Sequence, residues 1–176
     1  DIKAEGTKLE FSIKGRQGIP DTGLFHKPGD YGNLPAGESF IAPLEDSAFG
    51  SMTILYGPDR KLNEPITFKF KDGAVDSIEG FDPYVRYLEE VFKKHEKARF
   101  IAEFGVGTNP KAKNPENILE CEKIKGTIHI AIGDNHTFGG TNKVPFHTDY
   151  VIFEPTVLIG GRGWQKLLLE KGRLKL

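Results

Sequence analysis

The sequence predicts an α+β fold, mostly β, with mixed or antiparallel sheets and one clear helix near residues 82–97. Three observations lead there. Several segments alternate apolar and polar residues with the period of two that a half-buried strand requires. One segment carries apolar residues at helical spacing. The 21 glycines and 11 prolines, with 13 phenylalanines, suit a chain of many turns and aromatic strands better than a helical bundle.

In chain order, "KLEFSIKG" alternates Leu9, Phe11 and Ile13 against polar neighbours and reads as a half-buried strand. Residues 15–39 carry the Gly, Pro and Asp clusters of a loop. "SFIAPLED" and "SMTILYG" read as strands broken by Pro43 and Gly50. "ITFKFKDGAVDSIEG" alternates Ile66, Phe68 and Phe70, turns at Lys71-Asp72-Gly73 and returns to Ile78, a hairpin pattern. Asp82 is placed to cap a helix and Pro83 suits its first turn. Tyr84, Val85, Leu88, Val91 and Phe92 then share a face, and the helix is expected to end near Lys97. Three apolar runs follow, "RFIAEFGVG", "GTIHIAIG" and "TDYVIFEP", the last two joined by the glycine-rich "GDNHTFGGTNK". Trp164 to Leu169 fits a short strand or a helix equally.

The 176 residues suit a single domain, 1–176, with a sizeable core. A net charge of -1 gives no footprint for nucleic acid or an anionic membrane. No apolar run approaches the ~20 residues of a bilayer span, and no signal peptide is visible. The one cysteine, Cys121, excludes an internal disulfide and fits a reducing, cytoplasmic setting; it reads as a small buried residue. The start at Asp1 suggests a processed chain or a domain cut from a longer protein. His26 in a loop and His95 on the polar side of the helix read as surface residues. Neither "FGVGTNP" nor "FGGTN" has the context of a nucleotide loop.

The apolar runs contain misplaced polar groups: Glu103 in the first, His129 in the second, and His147 with Asp149 in the third. On a strand His147 and Asp149 share one face, with Thr148, Tyr150 and Ile152 on the other. Ile128, Ile130 and Ile132 make a core face, while the His129 face carries the small Thr127 and Ala131. A buried carboxylate without a partner costs several kcal/mol or takes up a proton. Four such groups on three strands are therefore expected to converge and to satisfy one another or share a cation. Imidazole and carboxylate suit Zn, Mn, Co and Fe(II). Glu38, at a loop-to-strand junction, is a fifth candidate.

"GNLPAGESFIAPLE", "AEFGVGTNP", "EKIKGTIHIAIGDN" and "FHTDYVI" occur in the order seen in the thermophilic metalloaminopeptidase family, of the leucyl aminopeptidase (aminopeptidase T) type. The chain resembles its C-terminal metal-binding domain over roughly residues 5–160. The resemblance implies five metal ligands, Glu38, Glu103, His129, His147 and Asp149. It also implies two divalent metal ions, a cytoplasmic homodimer, and an N-terminal domain missing from this chain. His136 stands where the family carries a tyrosine that stabilises an oxyanion, and the segment between His129 and His147 is shorter than in the peptidases.

These residues give as the leading expectation a two-metal aminopeptidase-like hydrolase that removes N-terminal residues from peptides, using Zn, Co or Mn. His136 would donate a hydrogen bond or proton, or else stand in the loop without a role, and Glu122 would act as general base. The alternative keeps the metal and changes the chemistry: His129, His147 and Asp149 also form the two-histidine-one-carboxylate set of non-haem Fe(II) oxygenases, here an aromatic-ring-opening dioxygenase. A two-metal site needs Glu38 and Glu103; an iron site leaves them free. The third reading is a non-catalytic metal-binding domain.

Overall fold

The structure, a computed structural model, describes residues 1–175. Strands β1 (Ile2–Ala4), β2 (Thr7–Glu10), β3 (Ile19–Asp21), β4 (Glu38–Ile41), β5 (Phe49–Tyr56), β6 (Lys61–Lys71) and β7 (Ala74–Glu79) precede helix α1 (Pro83–Lys94). A 3-10 turn (Glu96–Arg99), β8 (Ile101–Gly107), a single helical turn α2 (Ile118–Cys121), β9 (Ile128–Gly133) and β10 (His147–Ile152) follow. The chain closes with β11 (Thr156–Gly161), β12 (Trp164–Glu170) and β13 (Arg173–Leu174). One sheet runs β13-β12-β11-β1-β2-β5-β6-β7 and the other β10-β9-β8-β4-β3.

The expected strand-rich chain with antiparallel sheets and one clear helix is observed, and the α+β label is corrected to a β class. Strand takes 43% of the chain and helix 11%, in two antiparallel sheets. Among the described residues the one parallel contact is an isolated bridge between Asn109 and Ile124. The helix is also shorter than expected. Asp82 caps it, accepting from Tyr84 N at 2.9 Å, and Val85, Leu88 and Phe92 are buried, but it ends at Lys94. His95 leaves helical geometry and opens the 3-10 turn. Trp164 to Leu169 forms strand, paired with β11. The 15–39 segment contains β3, which adds an edge strand beside β4.

The β6–β7 hairpin turns at Asp72 (φ 50°) and Gly73 (φ 82°), the paired left-handed residues of a tight two-residue turn. Along β6, Leu62, Ile66, Phe68 and Phe70 face inward. They meet Ile128, Ile130, Ile132, Tyr150 and Ile152 from the second sheet, with α1 lying in the same cluster. The Phe68 and Tyr150 rings lie 5.0 Å apart, and the Tyr150 and Tyr84 hydroxyls 2.9 Å apart. Each such apolar side chain contributes roughly 1.5–3 kcal/mol by leaving water.

An antiparallel sheet with one face in a core commonly leaves its other face in water. Here every residue of β8 and β9 is buried on both faces. The segment between β8 and β9 covers one end of that second face; a Cβ on Gly107 would meet the Ile124 carbonyl at 2.1 Å. The β9–β10 loop covers the other end, with Phe138 edge-on to Phe40. No helix among the described residues is long and apolar enough to cross a membrane.

Candidate metal centre

Antiparallel register brings the misplaced polar residues together. Glu103, Ala131 and Asp149 form one row across β8, β9 and β10. Gly105, His129 and Val151 form the next, and Gly133 pairs with His147 on the far side. Glu38, at the start of β4, lies opposite Gly107. Alternation then puts Glu38, Glu103, His129, His147 and Asp149 on the face opposite the core. The extra residue Ala102, where pairing shifts between Ile101 and Glu103, lets β8 point both of those residues as their faces require.

The five expected ligands do converge. His129 Nε2 is 3.3 Å from Glu103 Oε1 and 3.4 Å from Glu38 Oε2. His147 Nε2 is 3.4 Å from Asp149 Oδ2 and 3.6 Å from Glu103 Oε2. One donor atom each from Glu103, His129 and Asp149 fall within 4.8 Å of one another, a spacing that suits a shared metal ion. Small residues make the room. A Cβ on Gly105 would sit 1.9 Å from His129 Nε2, so the imidazole lies directly on the glycine backbone.

His147 is held in one tautomer. Its Nδ1 lies 2.7 Å from the Asp134 carbonyl, which only accepts, so Nδ1 carries the proton and Nε2 is free to ligate. This is the outer partner that a metal-binding histidine commonly has. Buried Glu38 Oε2, Asp149 Oδ1 and His129 Nδ1 have no hydrogen-bond partner among the described residues. The two carboxylate oxygens, aimed into a buried pocket of nitrogen and oxygen donors, fit a cation.

Electrostatics point the same way. Burial alone would lower the histidine pKa values, yet both are pushed up to about 9. For His129 the Glu103 hydrogen bond and the Asp149, Glu103 and Glu38 charges outweigh burial; for His147 Asp149 and Glu103 do so. Asp149 is held below its usual range despite burial, chiefly by His147. Burial raises Glu38, and burial with the Asp149 charge pushes Glu122 up to about 7. Positive charge is the scarce species here, and protons or a metal ion supply it.

The two residues expected to act on protons take different places. Glu122 is buried and pairs with Lys123 at the inner end of the site. His136 stands at the exposed rim, its Nδ1 2.8 Å from Asp134 Oδ1. It is linked to the cluster through Asp134, whose carbonyl holds His147. Sequence reasoning missed Lys123, which is fully buried with its Nζ 2.8 Å from Glu38 Oε1. In "ECEKIKG" it reads as one of several charges on a solvated face. It also missed Asp134 and Phe138; the Phe138 ring stands edge-on to His147 at 6.0 Å.

Comparison with known proteins corrects the expected assignment. The family model described as 2,5-dihydroxypyridine 5,6-dioxygenase matches residues 2–175. A 2,5-dihydroxypyridine 5,6-dioxygenase of Pseudomonas putida is 26% identical over 148 residues, covering 74% of this chain and 42% of that protein. The structure of the dioxygenase from that organism superposes with a TM-score of 0.82 at 21% identity, over 99% of this chain and 54% of the other. Wild-type AmpT from Thermus thermophilus superposes with a TM-score of 0.77, also at 21% identity, over 99% and 49%. At that identity the two structures show a common fold alone. The chain spans about half the length of the relatives it matches. The family match overturns the metalloaminopeptidase assignment, and with it the hydrolase and peptidase readings. It leaves a pair of Zn, Co or Mn ions without support.

Proposed function

Since the chain belongs to the 2,5-dihydroxypyridine 5,6-dioxygenase family, we propose that it carries the single Fe(II) centre of a ring-opening dioxygenase acting on a dihydroxylated aromatic ring. His129, His147 and Asp149 would hold the iron, the two-histidine-one-carboxylate set of such oxygenases. When bound, Fe(II) supplies the redox chemistry that joins dioxygen to the ring.

The observation that carries this reading is the division of the carboxylates. Asp149 pairs with His147, while Glu38 is engaged by the Lys123 ammonium at 2.8 Å. Glu103 stands between the two imidazoles and adds negative charge that strengthens their hold on a cation. Access comes from one side. The His129 side chain is 1% exposed and that of His147 31%, so a substrate would approach along β10, past Phe138. At that rim the His136 side chain is 39% exposed, with Nδ1 fixed by Asp134. There it would take the proton of a ring hydroxyl as the substrate docks.

Anaerobic Fe(II) titration by calorimetry, followed by dioxygen uptake with 2,5-dihydroxypyridine, tests the proposal. One Fe(II) per chain, lost in His147→Ala and Asp149→Ala, with substrate-dependent dioxygen consumption, is expected. Iron binding that survives both substitutions would sink it.

A further inference from the structure

Lysine is almost never fully buried unless it is paired. Lys123 is 0% exposed and meets two buried carboxylates, Glu38 at 2.8 Å and Glu122 in closer contact. Its backbone is fixed on both sides. Asn109 N donates to the Lys123 carbonyl at 2.9 Å, and Lys123 N donates to the Glu120 carbonyl at 3.1 Å. Lys125 N returns a bond to Asn109 at 3.1 Å. The ammonium is therefore a positioned cation rather than a mobile surface charge. On its far side Glu38 turns Oε2 toward His129 Nε2, at 3.4 Å. Lys123, Glu38 and His129 thus run in line from the closed end of the pocket to the proposed iron ligands.

A two-metal centre needs a second cation ~3.5–4 Å from the first, with carboxylates of its own. Glu38 and Glu122 are the carboxylates on that side, and the ammonium already lies between them. A divalent ion there would have to displace a buried ammonium or sit against it, and like charges in a pocket shielded from water repel strongly. We propose that Lys123 is a built-in counter-cation that fills the place of a second metal and limits the centre to one divalent ion. The role is one of metal specificity: Lys123 touches neither the proposed ligating nitrogens nor the rim where substrate would enter.

This inference rests on the one-metal reading above, and the test separates the two. The chain is loaded with excess Co(II), desalted, and its cobalt measured by elemental analysis, with circular dichroism as the check on folding. The unaltered chain is expected to hold one Co(II), Lys123→Met two, and Lys123→Met/Glu38→Gln one again. A folded Lys123→Met that holds one, or an unaltered chain that holds two, overturns the role of Lys123. An unaltered chain that holds none removes the metal centre itself, and the inference with it. Should Lys123→Met fail to fold even with Co(II) present, Glu38→Gln decides. With the lysine retained it is expected to keep one Co(II), weakened by less than the roughly tenfold that marks loss of a group supporting a ligand. A larger loss shows that Glu38 serves the metal rather than the lysine, and overturns the proposal.

Discussion

The two faces of β8, β9 and β10 share one backbone and, in β8 and β9, the same burial, yet differ in side-chain charge and size. One presents Phe104, Val106, Ile128, Ile130, Ile132, Tyr150 and Ile152 to the core. The other presents Glu103, His129, His147 and Asp149, with Gly105, Ala131 and Gly133 between them. On the apolar face large side chains fill space; on the polar face small ones leave it. A one-residue slip would exchange the two sets, so the apolar face fixes the register that the polar face depends on. Stability and chemistry are thus carried by alternate residues of the same strands, and substitutions on the two faces should separate them.

The largest effect on folding is expected from Ile130→Ala, which removes a fully buried side chain at the centre of the core face. It should cost about 2–5 kcal/mol by urea denaturation. The folded fraction should bind metal with unchanged stoichiometry, because Ile130 points away from the ligands. Its counterpart on the other face is Gly105→Ala. The new Cβ would fall 1.9 Å from His129 Nε2 and 2.0 Å from its Cε1, so the ring must move. Metal affinity should drop about 10–100-fold, and shifting the buried ring should cost about 1–3 kcal/mol, offset in part because alanine suits a strand better than glycine. A Gly105→Ala chain that binds metal normally would break the comparison.

Next in size is the effect of pH on the metal-free chain. His129 and His147 titrate at about 9 in the fold, above their ordinary 6.5. A group raised in the fold stabilises it fully below its unfolded pKa, and that contribution is lost as pH rises through the folded value. Glu122, pushed up from 4.5 to about 7, acts with the same sign but over a lower window that ends near pH 7. The melting temperature of the metal-free chain should therefore fall between about pH 6.5 and 9. Metal affinity should rise over the same window, because a ligating imidazole must first give up its proton. Melting curves that stay flat over that range without metal would mean that the carboxylates do not govern these imidazoles.

Much of this site was legible in the sequence because burial makes polar residues conspicuous. Glu103, His129, His147 and Asp149 interrupt apolar runs, and period-two alternation was enough to assign them a common face. The β6–β7 hairpin was equally plain, since Asp72-Gly73 demands left-handed backbone. Lys123 was not legible: it lies outside any strand, and the contacts that hold it, to Glu38 and to the Asn109 backbone, join residues far apart in sequence and leave no local signature. The end of α1 at Lys94 was hidden for a similar reason, because the tertiary position of the following 3-10 turn overrides helical propensity. The family was misassigned because imidazole and carboxylate ligands suit hydrolytic and oxygenase metal centres alike. Which carboxylates remain free to bind metal depends on a lysine that only the fold places.

The smallest predicted effect sharpens the comparison from outside the strands. The β9–β10 loop carries Asp134, whose carbonyl orients His147. Asn142, buried in that loop, donates from Nδ2 to the Gly133 carbonyl at 2.6 Å and to the Lys97 carbonyl at 2.8 Å. Its backbone N–H donates to Asn135 Oδ1 at 2.8 Å. Replacing Asn142 by alanine leaves two carbonyls without their donor, which should cost about 1–3 kcal/mol. It should also loosen the carbonyl behind His147 and weaken metal binding by about tenfold, the lower end for a supporting group. Ile152→Val, on the core face of β10, should destabilise by a smaller, overlapping amount, about 0.5–1.5 kcal/mol, and leave the affinity alone. Calorimetric titration of both variants separates the cases. Equal losses of affinity would mean that metal binding follows global stability, and that the two faces are less independent than their geometry implies.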